Sequence, residues 1–208
     1  MNLAEQLALV VIDPDTGRPE VPTKDGLLRG LTEVLLGQLV LDGFLELGAG
    51  EELVVTSHQR PDSTLLVSVL EVVQEHGPGA KPVVVRLIRG IGQHRSHGTW
   101  DAVVERLVAN QEVEPGKGFL HEHHVVDDLE GRTAVVDRLR AALTGDDDLD
   151  VETALLVHAA GWGGLVKHLV DGDARHAATQ RAEHALEGTV LEPLSHLVRK
   201  YAEIDVIL

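Results

Sequence analysis

Three histidines and a glutamate lie together at His121-Glu122-His123-His124. Imidazole nitrogens and carboxylate oxygens are good ligands for zinc or nickel. In a β-strand, His121 and His123 would share one face, and His124 would lie on the other with Glu122. Each face then offers two ligands, and the helical H-E-x-x-H pattern is absent. The segment is therefore either an incomplete metal site, which needs a ligand from elsewhere, or the polar edge of a hairpin, which is the commoner setting.

A second candidate metal site is the acidic run Asp146-Asp147-Asp148-Leu149-Asp150. Such a run resembles the aspartate motif that holds magnesium and diphosphate in terpene cyclases. However, it follows Thr144-Gly145, which is typical of a helix end, and no second magnesium motif appears downstream. Aspartates also stabilise the positive N-terminus of a following helix. The pattern therefore favours helix capping over magnesium binding.

His158 is the one candidate for a catalytic base. It occurs at helical spacing with Leu155, Trp162 and Leu165, so it faces a core. A buried histidine is usually hydrogen-bonded to the backbone, and the alternative is a general base. The segment Gly161-Trp162-Gly163-Gly164 interrupts the same helix, which indicates close packing, a kink or a ligand against the backbone.

These side chains must be positioned by a mostly α-helical domain built around one central helix. Across residues 24–43, leucines and valines recur at helical spacing and leave little of the circumference polar. A helix that is apolar nearly all round is buried by its neighbours. Gly43 predicts its end, because glycine adopts the left-handed conformation without steric cost. The alternation that follows predicts a strand at 44–47, paired with 53–57 as a hairpin.

The rest of the chain reads as helices separated by turns, within a single domain spanning 1–208. Thr99 is expected to cap one of these helices, Pro82 to open another, and residues 119–126 to form a strand or half of a second hairpin. The predicted helices are 2–12, 61–76, 82–91, 99–113, 129–143, 149–170, 173–187 and 190–204.

Composition excludes several functions. The chain has 18 Lys and Arg against 34 Asp and Glu, a net charge of −16. Nucleic-acid binding needs a basic face, so we expect no nucleic-acid partner, and the same charge opposes simple attraction to anionic membranes. With no cysteine, disulfides and thiolate metal sites are excluded. We expect no cofactor, since nucleotide-binding glycine patterns are absent, and no transmembrane segment.

The central segment carries a resemblance to a known family. The buried leucine helix followed by L-x-L-x-G-x-L-x-L at 39–47 resembles the signature of the Golgi phosphoprotein 3 family. Further likeness lies in LAEQLALVVIDPDTGRP at 3–19, VVERL at 103–107, GFL at 118–120 and LLVHA at 155–159. The order and spacing of these motifs carry the match, which looks like a bacterial branch of the family.

The resemblance implies a helical domain with a buried central helix. It also implies peripheral membrane binding, because eukaryotic members hold phosphatidylinositol 4-phosphate with one Trp and several Arg side chains. In an ungapped alignment most of those positions are changed here. The family's Trp falls on Thr23, its central-helix Arg on Thr32, and two further Arg on Asp101 and Val104. Arg106 is retained, and Arg29 lies about one turn from Thr32.

Three functions therefore remain open. The first is a cytoplasmic, peripherally membrane-bound adaptor that contacts an anionic lipid headgroup, with Arg29 and Arg106 as its basic residues. The second is an enzyme or small-molecule binder of secondary, for example isoprenoid, metabolism, with a pocket near Trp100, Trp162 and His158. The third is a protein–protein scaffold, and a homo-oligomer is compatible with each of the three.

Overall fold

The structure is a computed structural model that describes residues 1–19, 23–57, 59–90, 98–115 and 124–204. The described chain is mostly α-helical, as predicted. In chain order its elements are α1 (Leu3–Val11), α2 (Lys24–Leu41), β1 (Leu45–Gly48), β2 (Glu52–Val55), α3 (Thr64–His76), α4 (Ala80–Arg89), α5 (Thr99–Ala109), β3 (Val113–Pro115), β4 (His124–Val126), α6 (Leu129–Thr144), α7 (Val151–Trp162), α8 (Val166–Leu169), α9 (Ala174–His184) and α10 (Glu192–Ile204).

Helix α2 is the buried centre that the leucine pattern predicts. It packs against α1, α3, α4, α5, α7 and α10. Leu31, Leu35 and Leu39 are fully buried along it. Burying a leucine side chain contributes about 1.5–3 kcal/mol, so each of these three residues stabilises the packing of α2 by that order.

Both ends of α2 are defined by local chemistry. At the start, the Thr23 hydroxyl accepts the Gly26 N–H at 3.2 Å, which satisfies one of the free first-turn amides. At the end, Gly43 adopts φ +74°, and the Phe44 N–H donates to the Leu39 carbonyl at 2.9 Å. This six-to-one bond is that of a Schellman motif, and it confirms Gly43 as the stop.

Helices α2 and α7 approach each other through glycines on α2. A Cβ added to Gly26 would lie 2.2 Å from the Trp162 carbonyl oxygen, and one added to Gly30 would lie 2.8 Å from that of Ala159. Neither position has room for a side chain. The backbones therefore run unusually close, and the glycine-bearing face of α2 packs directly against the backbone of α7.

The first predicted hairpin is present. Of the strand or half-hairpin predicted at 119–126, residues 124–126 form one strand of a second hairpin, and 119–123 lie outside the described residues. β1 and β2 pair antiparallel with Leu45 opposite Val55 and Leu47 opposite Leu53. β3 and β4 pair with Val113 opposite Val126, and both of these valines are buried. The prediction that a helix continues to residue 113 is wrong. Helix α5 ends at Ala109, because Gln111 turns the chain at φ +61° and leads it into β3.

The predicted role of Thr99 as a cap is also wrong. Gly98 is the N-cap of α5, and its N–H donates to the Asp101 carboxylate at 3.0 Å. Thr99 lies inside the helix and is fully buried, and its hydroxyl donates to the Leu87 carbonyl oxygen. Helix α4 begins at Ala80, so that Pro82 is its third residue rather than its first.

The helix predicted at 149–170 is two helices. α7 ends at Trp162, and Gly164 adopts φ +66° before α8 begins. The start of α7 confirms the capping interpretation of the aspartate run, and the residue that caps is Asp150. Its carboxylate accepts from the Thr153 hydroxyl at 2.6 Å and the Thr153 amide at 2.9 Å, and these hydrogen bonds lower the pKa of Asp150.

The turn of the first hairpin is tied to α10. Lys200 Nζ donates to Glu51 Oε1 at 2.6 Å, and the Tyr201 hydroxyl donates to Glu51 Oε2. The bond from Lys200, followed by that from Tyr201, lowers the pKa of Glu51. The same bonds to Glu51 raise the pKa of both Lys200 and Tyr201. This contact fixes the C-terminal half of α10, whose N-terminal half borders the candidate site.

Candidate functional site

Three buried side chains from three helices form a connected chain of polar contacts. His158 Nδ1 on α7 lies 2.7 Å from Glu33 Oε2 on α2. His158 Nε2 lies 3.4 Å from the Ser195 hydroxyl on α10. Glu33 is fully buried, while His158 is 4% and Ser195 5% exposed. With the imidazole proton on Nδ1, donated to the carboxylate, the lone pair on Nε2 faces the serine hydroxyl.

The close packing of α2 and α7 explains why Glu33 reaches His158. Gly30, one turn before Glu33, contacts the backbone at Ala159, the residue after His158. Gly37, one turn after Glu33, contacts the Leu155 side chain. Since side chains three and four residues apart share a helix face, Glu33 and His158 are held between two points of close approach.

A cavity of about 510 Å³ lies beside this chain, between α7, α9 and α10. His158 and Ser195 both line it, together with Trp162, Leu186 and Arg199. The volume falls within the range of about 300–1,000 Å³ that is usual for small-molecule sites. The cavity is therefore where a ligand could contact the histidine and the serine.

Two arginines flank the indole of Trp162. The Cζ atom of Arg29 lies 5.7 Å from the ring centroid, and that of Arg199 lies 5.4 Å from it. Both distances are those of cation–π contacts. Arg29 also donates to the Ala202 carbonyl at 3.3 Å, which uses one of its five N–H donors. We call Arg29, Trp162 and Arg199 the Arg–Trp–Arg cluster.

The cavity has a mixed charge. Glu183, Glu187 and Glu192 line it together with Arg199. Two of these carboxylates have local partners: Glu187 lies 2.5 Å from His184 Nδ1, and Glu192 accepts the Gly188 N–H at 2.7 Å. These contacts occupy oxygens of Glu187 and Glu192, and the negative charge of the three glutamates remains in the cavity lining.

The residues that the ungapped alignment places at the headgroup positions take part in helix capping, core packing or an ion pair. Thr23 caps α2, and Thr32 is fully buried, with a hydroxyl oxygen that has no partner among the described residues. Asp101 accepts the Gly98 N–H, and Val104 is 5% exposed in the core. Arg106 Nε lies 3.4 Å from the buried Glu5 carboxylate.

Of the other predicted site residues, some line the cavity and others do not. Trp100 is partly buried against the core from α5 and is not part of the cavity lining, whereas Trp162 and His158 both line it. His121 and His123 lie outside the described residues. The backbone of His124 begins β4. Within the described ranges, no group of three or more His, Asp or Glu side chains is arranged to hold a metal ion.

Sequence reasoning identified His158 but missed Glu33, Ser195 and Arg199. One signal was available for Glu33, because a carboxylate in a helix that is apolar nearly all round must be buried and needs a partner. Ser195 and Arg199 lie on the amphipathic helix α10, where nothing in the local pattern distinguishes them from surface residues.

The described architecture is that of a helical domain in which one buried apolar helix is surrounded by shorter helices and two hairpins. The chain belongs to the Golgi phosphoprotein 3 (GPP34) family, whose model matches residues 3–203. No curated protein matches the chain. None of the helices in the described ranges is long and apolar enough to cross a membrane.

Proposed function

We propose that this chain is a peripheral membrane-binding domain that takes an anionic lipid headgroup with a phosphomonoester at the Arg–Trp–Arg cluster. The proposal includes a cytoplasmic location in a bacterial cell. The family supplies the expectation of a phosphoinositide-type headgroup held by one Trp and several Arg. The observation that carries the proposal is that two guanidinium groups lie within 6 Å of one indole. None of these three residues is at a headgroup position of the ungapped alignment.

The chemistry of the cluster suits a phosphomonoester. Guanidinium is planar and always charged, and it can donate two parallel N–H bonds to one phosphate. Arg29 retains donors beyond the one it gives to Ala202, and Arg199 is exposed on α10. Contact with the indole restricts both side chains, so less rotamer freedom is lost when they bind a ligand.

The net negative charge of the protein restricts how it can bind an anionic membrane. A net charge of −16 and the carboxylates of Glu183, Glu187 and Glu192 repel a diffuse anionic surface. Binding must therefore depend on short-range contacts to the headgroup rather than on the membrane's overall charge. We expect selectivity for a phosphomonoester headgroup over phosphatidylserine at equal surface charge.

Vesicle flotation tests this directly. Vesicles of phosphatidylcholine alone are compared with vesicles that also contain phosphatidylinositol 4-phosphate or a charge-matched amount of phosphatidylserine. Arg199→Gln removes one guanidinium from the cluster, and Arg60→Gln is the matched control, since Arg60 is also exposed but borders a different depression. A charge-assisted hydrogen bond contributes about 1.5–3 kcal/mol, so Arg199→Gln should weaken binding at least about tenfold. Arg60→Gln should not.

Each outcome decides the proposal. Selective recovery with phosphatidylinositol 4-phosphate that is lost in Arg199→Gln supports it. A further gain in recovery for Glu183→Gln, by up to about fivefold, would support the placement, because that change removes a repelling carboxylate. Equal recovery with phosphatidylserine, or equal loss in both arginine variants, would indicate non-specific charge attraction and refute the headgroup site. No recovery of the unmodified protein on any vesicle would refute membrane binding.

A further inference from the structure

We propose that Ser195, His158 and Glu33 act as nucleophile, general base and orienting carboxylate in an acyl-transfer site that cleaves short-chain carboxylic esters. This function is separate from headgroup binding and does not rest on it. It requires the cavity beside α10, the three buried side chains that adjoin it, and Arg199, which also belongs to the Arg–Trp–Arg cluster.

The order of the contacts matches the requirements of nucleophilic catalysis. A serine hydroxyl is a weak nucleophile until a base takes its proton, and the base works best when a third group fixes its tautomer. Glu33 holds Nδ1 of His158 at 2.7 Å, which presents Nε2 to Ser195. The Nε2 to Oγ distance of 3.4 Å is slightly long, as is common in catalytic pairs without a bound substrate.

The three residues are also arranged correctly with respect to the cavity. Ser195 and His158 line it, whereas the Glu33 carboxylate lies behind the imidazole in the fully buried interior. This is the order of a working triad, with the nucleophile facing the ligand and the carboxylate shielded from water. A cavity of about 510 Å³ holds a short acyl ester but leaves little space for a long fatty chain.

Stability alone accounts poorly for the Glu33–His158 pair. Glu33 Oε1 is buried and has no hydrogen-bond partner in the described part of the chain. An unsatisfied polar group of this kind costs about 1–3 kcal/mol. Replacing a buried polar pair with apolar side chains is often neutral or stabilising. A pair that is costly to bury and borders a cavity is typical of a functional site rather than of core packing.

The reaction balances with water as the only co-reactant. Ser195 Oγ attacks the ester carbonyl carbon while its proton passes to His158 Nε2. The bond to the alkoxy oxygen then breaks, and His158 returns the proton to that oxygen, which releases the alcohol and leaves an acyl-serine. Water attacks the acyl carbon, gives a proton to Nε2, and the carboxylic acid leaves as Ser195 recovers its hydroxyl proton.

A cationic group lines the same cavity as the serine and is available to the developing oxyanion. Ser195 lies in the first turn of α10, where the helix dipole presents partial positive charge. Arg199, four residues later, shares the helix face and lines the same cavity. We expect its guanidinium to stabilise a tetrahedral intermediate formed at Ser195.

The test is covalent labelling of the full chain with a fluorophosphonate probe, followed by peptide mass spectrometry. The probe forms an Oγ–phosphorus bond and releases fluoride only at an activated serine. Hydrolysis of p-nitrophenyl acetate gives a second readout. Ser195→Ala removes the nucleophile, and Ser68→Ala is the matched control, since Ser68 lies on α3 and its hydroxyl donates to the Thr64 carbonyl away from the cavity.

The proposal expects labelling at Ser195 in the unmodified protein and in Ser68→Ala. His158→Gln should slow labelling by about 10²–10⁴-fold, the usual contribution of a general base. Glu33→Gln, which keeps the shape of the side chain, should also slow it and should change the pH profile of labelling, which a purely structural residue would not. Circular dichroism confirms that each variant is folded.

Two results would overturn the proposal. One is that the folded, unmodified protein is not labelled at Ser195. The other is that Ser195 is labelled equally fast in Glu33→Gln. If His158→Gln fails to fold, the comparison of the unmodified protein with Ser195→Ala and Glu33→Gln still decides between these results. Vesicle recovery has no bearing on this outcome, so the two proposals fail independently.

Discussion

Replacing Gly30 with alanine should destabilise the protein, although alanine is the better helix former. The added Cβ would lie 2.8 Å from the Ala159 carbonyl oxygen, whereas real Cβ atoms stay beyond 3.0 Å and ordinary contacts begin at 3.4 Å, so α2 and α7 must separate by about 0.2–0.6 Å. Overpacking costs about 1–3 kcal/mol, and the upper part of that range, about 2–3 kcal/mol, applies here because the added Cβ meets a backbone oxygen rather than the end of a flexible side chain. The helix propensity of alanine returns about 1 kcal/mol, which leaves a net loss of about 1–2 kcal/mol.

A matched control lies on the same helix. Gly37 also faces α7, but its added Cβ would meet Leu155 Cδ2 at 2.7 Å. That atom is the end of a side chain and can shift by rotation, while the Ala159 carbonyl is fixed in the backbone of α7. Gly37→Ala therefore gains the same helix propensity with less strain, and its stability should stay within about 1 kcal/mol of the unmodified protein.

Thermal unfolding followed by circular dichroism measures the difference. For a chain of this length, each kcal/mol shifts the Tm by about 2–4 °C, so Gly30→Ala should lower the Tm by about 2–8 °C. Urea unfolding should give the same order of stability at an unchanged m value. If Gly30→Ala is as stable as the unmodified protein, or if Gly37→Ala costs as much, the close backbone contact does not govern the packing of α2 on α7. The explanation for the Glu33–His158 contact would then fail as well.

Two further predictions concern titrating groups. Burial, and next the charge of Glu5, raise the pKa of Glu112, whose Oε2 has no partner among the described residues. The folded state then holds the proton more tightly, so stability is greatest below the unfolded pKa of about 4.3 and falls as the pH rises through the folded value. Glu112→Gln should therefore raise the free energy of unfolding at pH 7 by up to about 1 kcal/mol, seen as a higher Tm, and this gain should disappear near pH 4. A constant gain at both pH values would contradict the prediction. Glu51→Gln should lower the pH at which Tyr201, the chain's one tyrosine, ionises in an ultraviolet titration, because the bond to Glu51 raises that pKa; Glu46→Gln, on the neighbouring strand, is the control, and an unchanged titration in Glu51→Gln would mean that the contact does not form in solution.

The elements of the fold were accessible to sequence reasoning where the signal is local. The leucine stripe of α2, its end at Gly43 and the alternation in the first hairpin all depend on residues within one or two turns of each other. The errors arose where neighbouring choices compete. Thr99 is a good N-cap residue, yet Gly98 and Asp101 form the cap because the Thr99 hydroxyl bonds to Leu87 on another helix.

The sequence by itself determined the helical class, the central helix, the strongly acidic charge and the family to which the chain belongs. It also placed His158 on a core face. Only the tertiary structure decided what His158 contacts, because Glu33 is 125 residues away and Ser195 is 37 residues away along the chain. Periodicity reports which face of a helix is buried, but the partner on that face depends on how closely two backbones approach. Here the glycines of α2 set that approach, and the candidate site follows from it.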